Sequence, residues 1–205
     1  MRKEEVIDLH FGFFRDFGFA FHPQHLLFEK PFTEGNQVIF VHYTEYPDVS
    51  YLEYKLGIRN HLVETIIHKF LPTLSDYAQR SITLIQSPDA IQAGFPKRFV
   101  LDHEFNLIEA IEKGEEFLVK HGFHWLDTMS DSKSLELAFE IQQAQPFPNQ
   151  NFVYHAFRGV TLARLYHREG YEELRQLYLH QIKQKELTPF TIASFLQLLD
   201  FLDHL

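Results

Sequence analysis

Two segments of this 205-residue chain share one local pattern, and that pattern limits where its helices can end. Residues 14–21 read FRDFGFAF and residues 118–125 read LVKHGFHW. Each is an amphipathic stretch, then a glycine, then aromatic side chains at alternate positions. Glycine adopts the left-handed conformation that ends many helices, and alternating apolar residues are typical of extended chain. We therefore predict that one helix ends at Gly18 and another at Gly122, each followed by an extended segment.

The N-terminal third is predicted to form a helix followed by a sheet. The helix covers 3–17, and strand-like runs follow at 19–32, 37–46 and 50–58. The segments between these runs are short and rich in turn-forming residues. Connections this short join antiparallel neighbours, so we expect an antiparallel sheet.

The run 50–58 has one apolar face and one mixed face. Its alternating residues divide into two sets: Leu52, Tyr54, Leu56 and Ile58 on one side, and Tyr51, Glu53 and Lys55 on the other. We expect the first set to be buried and the second to be half solvated, as in a sheet with one wet face.

The remainder of the chain is mostly helical by its apolar periodicity. Asn60 is a candidate N-cap for a helix, and Thr188 followed by Pro189 begins the last one. Two further strands are expected at 81–86 and 98–101. Helices are predicted over 61–71, 104–121, 132–144, 152–168, 171–185 and 189–204.

These elements predict an α+β fold. An N-terminal antiparallel sheet with flanking helices is followed by a mostly helical C-terminal half. Pro146 and Pro148 mark an internal linker. We predict an α+β domain over 1–145 and a three-helix region over 146–205 that packs on it as one unit. A linker between two separate domains is the alternative.

Composition excludes several classes of protein. The formal net charge is −9 with histidines neutral, whereas a nucleic-acid binder needs a basic surface to neutralise phosphates. The chain has no cysteine, which excludes disulfides and thiolate-bound metals. It has no apolar run long enough for a membrane span, and its N-terminus carries acids where a signal peptide is apolar. We expect a cytoplasmic protein that neither spans a membrane nor binds nucleic acid.

The sequence contains no phosphate-binding loop, dinucleotide fingerprint or nucleophile elbow. The remaining candidates for chemistry are two His-x-x-His pairs, His22/His25 and His121/His124, the second of which is followed by Asp127. Two histidines and a carboxylate can hold zinc or iron. However, Pro23 and Gly122 interrupt any helix that would bring either pair together. Polar residues at turns are the alternative, and we predict no bound metal or cofactor.

Asp102, His103 and Glu104 form another acid–histidine cluster in the sequence. A carboxylate can orient an imidazole for general-base catalysis. Because adjacent residues point apart on a strand or a helix, we expect instead that Asp102 caps a helix.

The mixed face of the third strand is the candidate interaction surface. Tyr51, Glu53 and Lys55 are expected to lie beside Tyr43 and Glu45 across the hairpin. Tyrosines anchor many protein interfaces, so this aromatic and acidic surface would suit a protein partner. An ordinary solvated face with cross-strand pairs, or a face packed under the C-terminal helices, is the alternative.

The first sixty residues resemble a family. The segments 15–19 (RDFGF), 28–30 (FEK), 37–40 (QVIF) and 54–58 (YKLGI) resemble a group of uncharacterised bacterial α+β domains. Those domains have a helix, a Gly-Phe entry, two strands and a strand that ends in Leu-Gly-Ile. Some members of the group lie in toxin–immunity gene clusters. The resemblance implies an α+β domain and assigns no catalytic residues.

We therefore expect a non-catalytic, acidic binding or regulatory module of immunity type, with a basic protein as partner, because an acidic surface steers basic partners. The alternative is an enzyme or small-molecule carrier. Its pocket would lie between the sheet and the C-terminal helices and would be lined by some of the 22 phenylalanines and a few histidines, with or without a metal held by those histidines. The sequence leaves the oligomeric state and any catalysis open.

Overall fold

The computed structural model describes residues 3–71, 75–101, 104–143, 147, 150–185 and 187–205. The predicted domain boundary between 145 and 146 lies outside the described residues, as do Asp102 and His103. The predicted fold class is confirmed: an antiparallel sheet with helices in the N-terminal part is followed by a helical C-terminal half.

The first part of the chain contains both helices and strands. In order, these elements are α1 (Lys3–Asp8), α2 (Phe11–Asp16), β1 (Ala20–His22), β2 (Leu27–Phe32), β3 (Gly35–Glu45), β4 (Ser50–Asn60), α3 (His61–Ile67), α4 (Ser75–Arg80), β5 (Leu84–Gln86), α5 (Pro88–Ile91) and β6 (Phe99–Leu101).

The second part is helical throughout its described elements. These are α6 (Glu104–Phe117), a π-helical turn (Leu118–Gly122), α7 (Phe123–Ser130), α8 (Ser132–Ile141), α9 (Phe152–Tyr166), α10 (Arg168–Gln184) and α11 (Pro189–Asp203).

The strands form one sheet in the order β1-β2-β3-β4-β5, and β6 also pairs with β4. The pairs β1–β2, β2–β3 and β4–β6 are antiparallel. Phe28 lies opposite Phe21 on one side and Ile39 on the other. In the β4–β6 pair, Tyr51 lies opposite Val100. The pairs β1–β2 and β2–β3, which short connections join, are therefore antiparallel as predicted.

Internal contacts divide the chain into two compact units. The first, here called the sheet unit, comprises Met1–Ile58 and Ile85–Thr128; the second, the helical unit, comprises Arg59–Leu84 and Met129–Leu205. The chain passes from one unit to the other inside β4, again inside β5, and once more at the end of α7. Each unit is therefore built from segments that are distant in sequence.

The core of the sheet unit contains the apolar face of β4, as predicted. Leu52, Tyr54, Leu56 and Ile58 are each at most 1% exposed. Helix α6 approaches this face closely at Gly114, where a Cβ atom would lie only 2.5 Å from the Tyr54 ring. A second part of this core is an aromatic cluster in which the Phe14 and Phe28 ring centroids are 4.3 Å apart; it also contains Phe11, Phe13, Phe17, Phe19, Phe21 and Phe123.

Only one of the two glycines behaves as the sequence predicts. Gly18 has φ +83°, and the Phe19 N–H donates to the Phe14 carbonyl, so the helix ends there. The prediction for Gly122 is wrong, because the helix continues through the π-helical turn into α7. Gly122 instead permits close packing: a Cβ atom there would lie 2.9 Å from the Leu118 side chain and 3.0 Å from the Leu56 side chain.

The first predicted helix is interrupted at Leu9 and His10. In a continuous helix the His10 N–H would donate to the Val6 carbonyl. Here it donates to the Ile7 carbonyl, and the Nδ1–H of the His10 side chain donates to the Val6 carbonyl instead. The His10 ring is fully buried, and its Nε2 accepts a hydrogen bond from the Tyr54 hydroxyl at 2.8 Å. A contact to a distant strand therefore breaks the helix.

The helical unit confirms two predicted helix starts. The Asn60 side chain accepts from the Val63 N–H at 3.1 Å, and the Thr188 side chain accepts from the Thr191 N–H at 3.3 Å. The core of this unit includes the fully buried side chains of Phe139, Phe157, Tyr178 and Phe195. No helix among the described residues is both long and apolar enough to cross a membrane.

Candidate functional site

The structure brings together three of the five residues predicted for the interaction surface. Tyr51, Glu53 and Lys55 are half-buried and alternate along β4 with its buried residues. The Tyr43 hydroxyl donates to Ser50 Oγ at 3.1 Å, which places Tyr43 on the opposite face of the sheet from Tyr51. Glu45 is exposed at the end of β3, two residues from Tyr43 and hence on the same side of the strand.

Three residues that the sequence analysis missed complete this surface. Tyr46, in the turn between β3 and β4, is 55% exposed, and its ring lies edge-on to the Tyr51 ring at 5.9 Å. The Arg98 guanidinium lies over the Tyr51 ring, 4.3 Å from its centroid. Val100 lies opposite Tyr51 in the β4–β6 pair and is 60% exposed. We call Tyr46, Tyr51 and the covering Arg98 the tyrosine platform.

Charges of both signs surround the β4 part of the platform. Burial lowers the pKa of His42, and the nearby Lys55 and Lys3 lower it further against the opposing effect of Glu53. Asp48 and Arg98 are exposed, whereas the exposed Glu45 lies on the opposite side of its strand from the platform. Aromatic faces attract cations, and carboxylates add a second, longer-range attraction. The surface is therefore suited to hold a cationic side chain.

The pairing of β4 with β6 explains why the sequence did not reveal the platform. Arg98 precedes a short strand, and its own neighbours contain no signal for Tyr51. Only the register that places Val100 opposite Tyr51 brings the arginine over the ring. The alternation of buried and half-buried residues along β4 was the signal that the sequence offered. It identified Tyr51 but not the Arg98 guanidinium that covers the Tyr51 ring.

Neither of the two predicted histidine pairs has the geometry of a metal site. The His22 and His25 rings are stacked 4.4 Å apart with planes only 3° from parallel. A metal binds in the plane of an imidazole, so two stacked parallel rings cannot share one ion. His121 and His124 are exposed, and the Asp127 Oδ1 accepts from the Gln37 side chain at 2.8 Å. These last three residues do not bring their ligand atoms within 4.8 Å of one another.

Among the described residues, a different group does satisfy this distance criterion for its ligand atoms. Ligand atoms of Glu136, Glu140 and His167, all in the helical unit, lie within 4.8 Å of one another. Burial raises the pKa of the Glu136 carboxyl, against the opposing effect of His167. No residue of this group was a candidate from sequence, because His167 is far from the two glutamates along the chain.

The helical unit also contains a buried polar cluster around Glu64. Arg158 donates to both carboxylate oxygens of Glu64, at 2.8 and 3.0 Å, and Thr83 donates a third hydrogen bond at 2.8 Å. Burial opposes ionisation of Glu64. Two effects together outweigh burial: the positive charge of Arg158, and the hydrogen bonds from His68 and Arg158. They hold the pKa of Glu64 well below its usual range.

This cluster resembles a catalytic triad in composition but not in geometry. His68 Nε2 lies 2.8 Å from Ser81 Oγ and 3.3 Å from a Glu64 oxygen, so one nitrogen faces both groups. A triad needs the nucleophile and the carboxylate on opposite nitrogens of the imidazole. Ser81 is only 3% exposed, and its hydroxyl donates to the Ala78 carbonyl. The cluster is a structural network.

Each unit carries an open surface groove. The groove in the sheet unit, of about 340 Å³, is lined in part by Phe95, Phe117 and His121. The groove in the helical unit, of about 850 Å³, is lined in part by Phe70 and Phe201. The first combines rings with a histidine, as the alternative function would require.

Comparisons with protein-family models, with curated proteins and with solved structures find no match for the chain. They therefore do not bear on the resemblance of residues 1–60, which stays a prediction.

Proposed function

We propose that the protein is a non-catalytic binding module that holds an arginine-bearing segment of a basic protein partner on the tyrosine platform. The observation that supports this most directly is the guanidinium of Arg98, which lies 4.3 Å from the Tyr51 ring centroid. The chain's own arginine thus occupies the position that a partner's arginine would take.

Exchange between the two arginines is physically reasonable. Arg98 is exposed and precedes the short strand β6, so its side chain can leave the ring without disturbing the core. A cation–π contact at an exposed site contributes about 0.5–1 kcal/mol, which a partner making further contacts can outweigh. The net charge of −9 raises the rate at which a basic partner arrives.

The biological role that we propose is regulatory and of immunity type. It rests on the resemblance of residues 1–60 to bacterial domains, some of which lie in toxin–immunity gene clusters. In this role the module would bind a basic effector and block it by occupying its surface.

A labelled peptide of arginine and glycine tests the platform directly. Fluorescence anisotropy at low salt should show weaker binding by Tyr51→Ala, by roughly two- to fivefold, since the cation–π contact is lost. Tyr51→Phe keeps the aromatic face and should bind like the unmodified protein. Tyr77→Ala, at a tyrosine of the helical unit that is 44% exposed, is the matched control. Equal affinities for Tyr51→Ala and Tyr77→Ala would reject the proposal.

The groove of the sheet unit supports a second candidate, a small-molecule carrier. Its Phe95 and Phe117 rings are 4.6 Å apart, and Lys113 and Lys120 also line it. The two ammonium groups already pair with the glutamates four residues before them, so the closely spaced rings are the feature that would hold a planar ligand. Native mass spectrometry should then show a retained organic mass that Phe95→Ala loses. A bare chain mass after purification without dialysis would contradict the carrier function.

A further inference from the structure

Two carboxylates and an imidazole, one carboxylate buried and the other two groups partly exposed, converge within the helical unit. Glu136 and Glu140 are four residues apart on α8 and therefore lie on one face of that helix. His167 lies between the end of α9 and the start of α10. Its Nδ1 is 3.4 Å from Glu136 Oε1 and 3.8 Å from Glu140 Oε2.

We propose that Glu136, Glu140 and His167 form a binding site for a divalent cation of the zinc type. Zinc binds imidazole nitrogen and carboxylate oxygen at about 2.0–2.2 Å, so adjacent ligand atoms of a tetrahedral site are about 3.4 Å apart. The two distances to His167 Nδ1 are close to that value. Small side-chain rotations would complete three ligands and leave a fourth position for water or another ligand.

A buried oxygen without a hydrogen bond of standard geometry supports the site, although His167 Nδ1 lies 3.4 Å from it and can pair with it when protonated. The Glu136 side chain is 7% exposed, and its Oε1 is inaccessible to solvent and accepts no hydrogen bond from any described residue. This is the atom that faces His167. Leaving a buried acceptor unsatisfied is costly, whereas buried charges that persist are paired or bind metals. A doubly charged cation would neutralise both carboxylates beside a neutral imidazole.

The packing around His167 also holds the ring in place. A Cβ atom at position 170 would lie 2.6 Å from His167 Cε1 and 2.8 Å from Nδ1. Gly170 therefore provides the space that the imidazole occupies. A simple ion pair between His167 and the two carboxylates could use the same space, so the two interpretations must be separated by metal binding itself.

Calorimetric titration of chelator-treated protein with zinc chloride separates them. We expect one ion per chain, and an affinity at least tenfold weaker in both His167→Ala and Glu140→Gln. Glu140 is 36% exposed at its side chain, so the second variant removes a ligand without opening the core. His180→Ala, at an exposed histidine of α10, is the control for adventitious binding and should match the unmodified protein.

Two further measurements strengthen the test. Cobalt bound at the site should give the intense visible bands of a four-coordinate ion, and His167→Ala should lose them. Gly170→Ala should weaken zinc binding because its methyl group displaces the imidazole, although all three ligands remain. The proposal is overturned if zinc does not bind, or if it binds with the same affinity to His167→Ala, Glu140→Gln and His180→Ala. Neither result depends on the tyrosine platform.

Discussion

The Glu64 carboxylate shows how strongly one side chain can depend on its partners. It is fully buried and accepts hydrogen bonds from Arg158 and Thr83. Glu64→Gln leaves the Arg158 charge buried without its counter-ion. We expect it to lower the free energy of unfolding by about 3–5 kcal/mol, measured by urea denaturation.

A surface ion pair provides the control for that variant. Glu109 pairs with Lys113 at 2.7 Å, but its side chain is 53% exposed. Glu109→Gln removes the same charge and should cost less than about 1 kcal/mol, because water screens exposed pairs. Equal losses in the two variants would show that burial does not determine the effect.

Two buried histidines predict a loss of stability in mild acid. Burial lowers the pKa of His10 and of His155 from 6.5 to about 4, although a backbone hydrogen bond opposes the shift in each. The unfolded chain binds protons at these histidines below about pH 6.5 while the folded chain does not. Stability is therefore complete above that pH and falls as the pH decreases toward 4.

Lowering the pH from 7 to 5 should reduce the free energy of unfolding by about 2 kcal/mol for each of the two histidines. Urea denaturation at the two pH values measures this loss. His10→Phe cannot take up the proton, so its loss between pH 7 and pH 5 should be smaller by about that amount. His121→Gln, at an exposed histidine, should keep the full loss. An unchanged pH dependence in His10→Phe would contradict the explanation.

At the scale of the element, Gly122 predicts an unusual response to alanine. Alanine normally stabilises a helix relative to glycine by up to about 1 kcal/mol. At Gly122 the added methyl would meet the side chains of Leu118 and Leu56, so we expect Gly122→Ala to destabilise by about 1–3 kcal/mol.

Gly12 in α2 is the matched position for this prediction. A Cβ atom there has no neighbour within 4 Å, so Gly12→Ala should leave stability unchanged or raise it. Thermal unfolding of both variants measures the difference. Stabilisation by Gly122→Ala would mean that the close approach to Leu56 does not constrain the residue at position 122.

The elements show which structural features local sequence can predict. The caps at Asn60 and Thr188, the strand alternation of β4 and the left-handed Gly18 depend on residues within a few positions, and all were predicted correctly. The helix break at His10 depends on Tyr54, 44 positions away, and was missed. The continuation through Gly122 depends on Leu56 and was wrong for the same reason.

In the candidate sites too, the residues predicted from sequence depend on near neighbours in the chain, and the residues that were missed depend on distant contacts. Tyr51 was identified because it alternates with buried residues along one strand. Arg98 and Tyr46 join it only through tertiary contacts, and Tyr43 faces the other side of the sheet. His121, His124 and Asp127 were considered as metal ligands because they are close along the chain, although no bound metal was predicted. The group whose ligand atoms converge instead joins α8 to His167.

At the scale of the whole molecule, the chain combines a strong negative charge with the tyrosine platform, where a guanidinium lies over an aromatic ring. A net charge of −9 attracts any basic peptide, whichever surface it touches. Long-range attraction alone would therefore give binding that falls with salt but does not depend on the platform. A decisive measurement must hold the net charge constant while it changes access to Tyr51.

Arg98→Ala and Lys97→Ala meet that condition. Both remove one positive charge from adjacent exposed positions, but only the first uncovers the Tyr51 ring. Anisotropy titration with the arginine–glycine peptide, at one ionic strength, compares them. The account predicts that Arg98→Ala binds roughly two- to fivefold more tightly than Lys97→Ala, because the peptide no longer competes with an internal guanidinium. Equal affinities of the two variants would contradict it, since the peptide would then respond to charge alone.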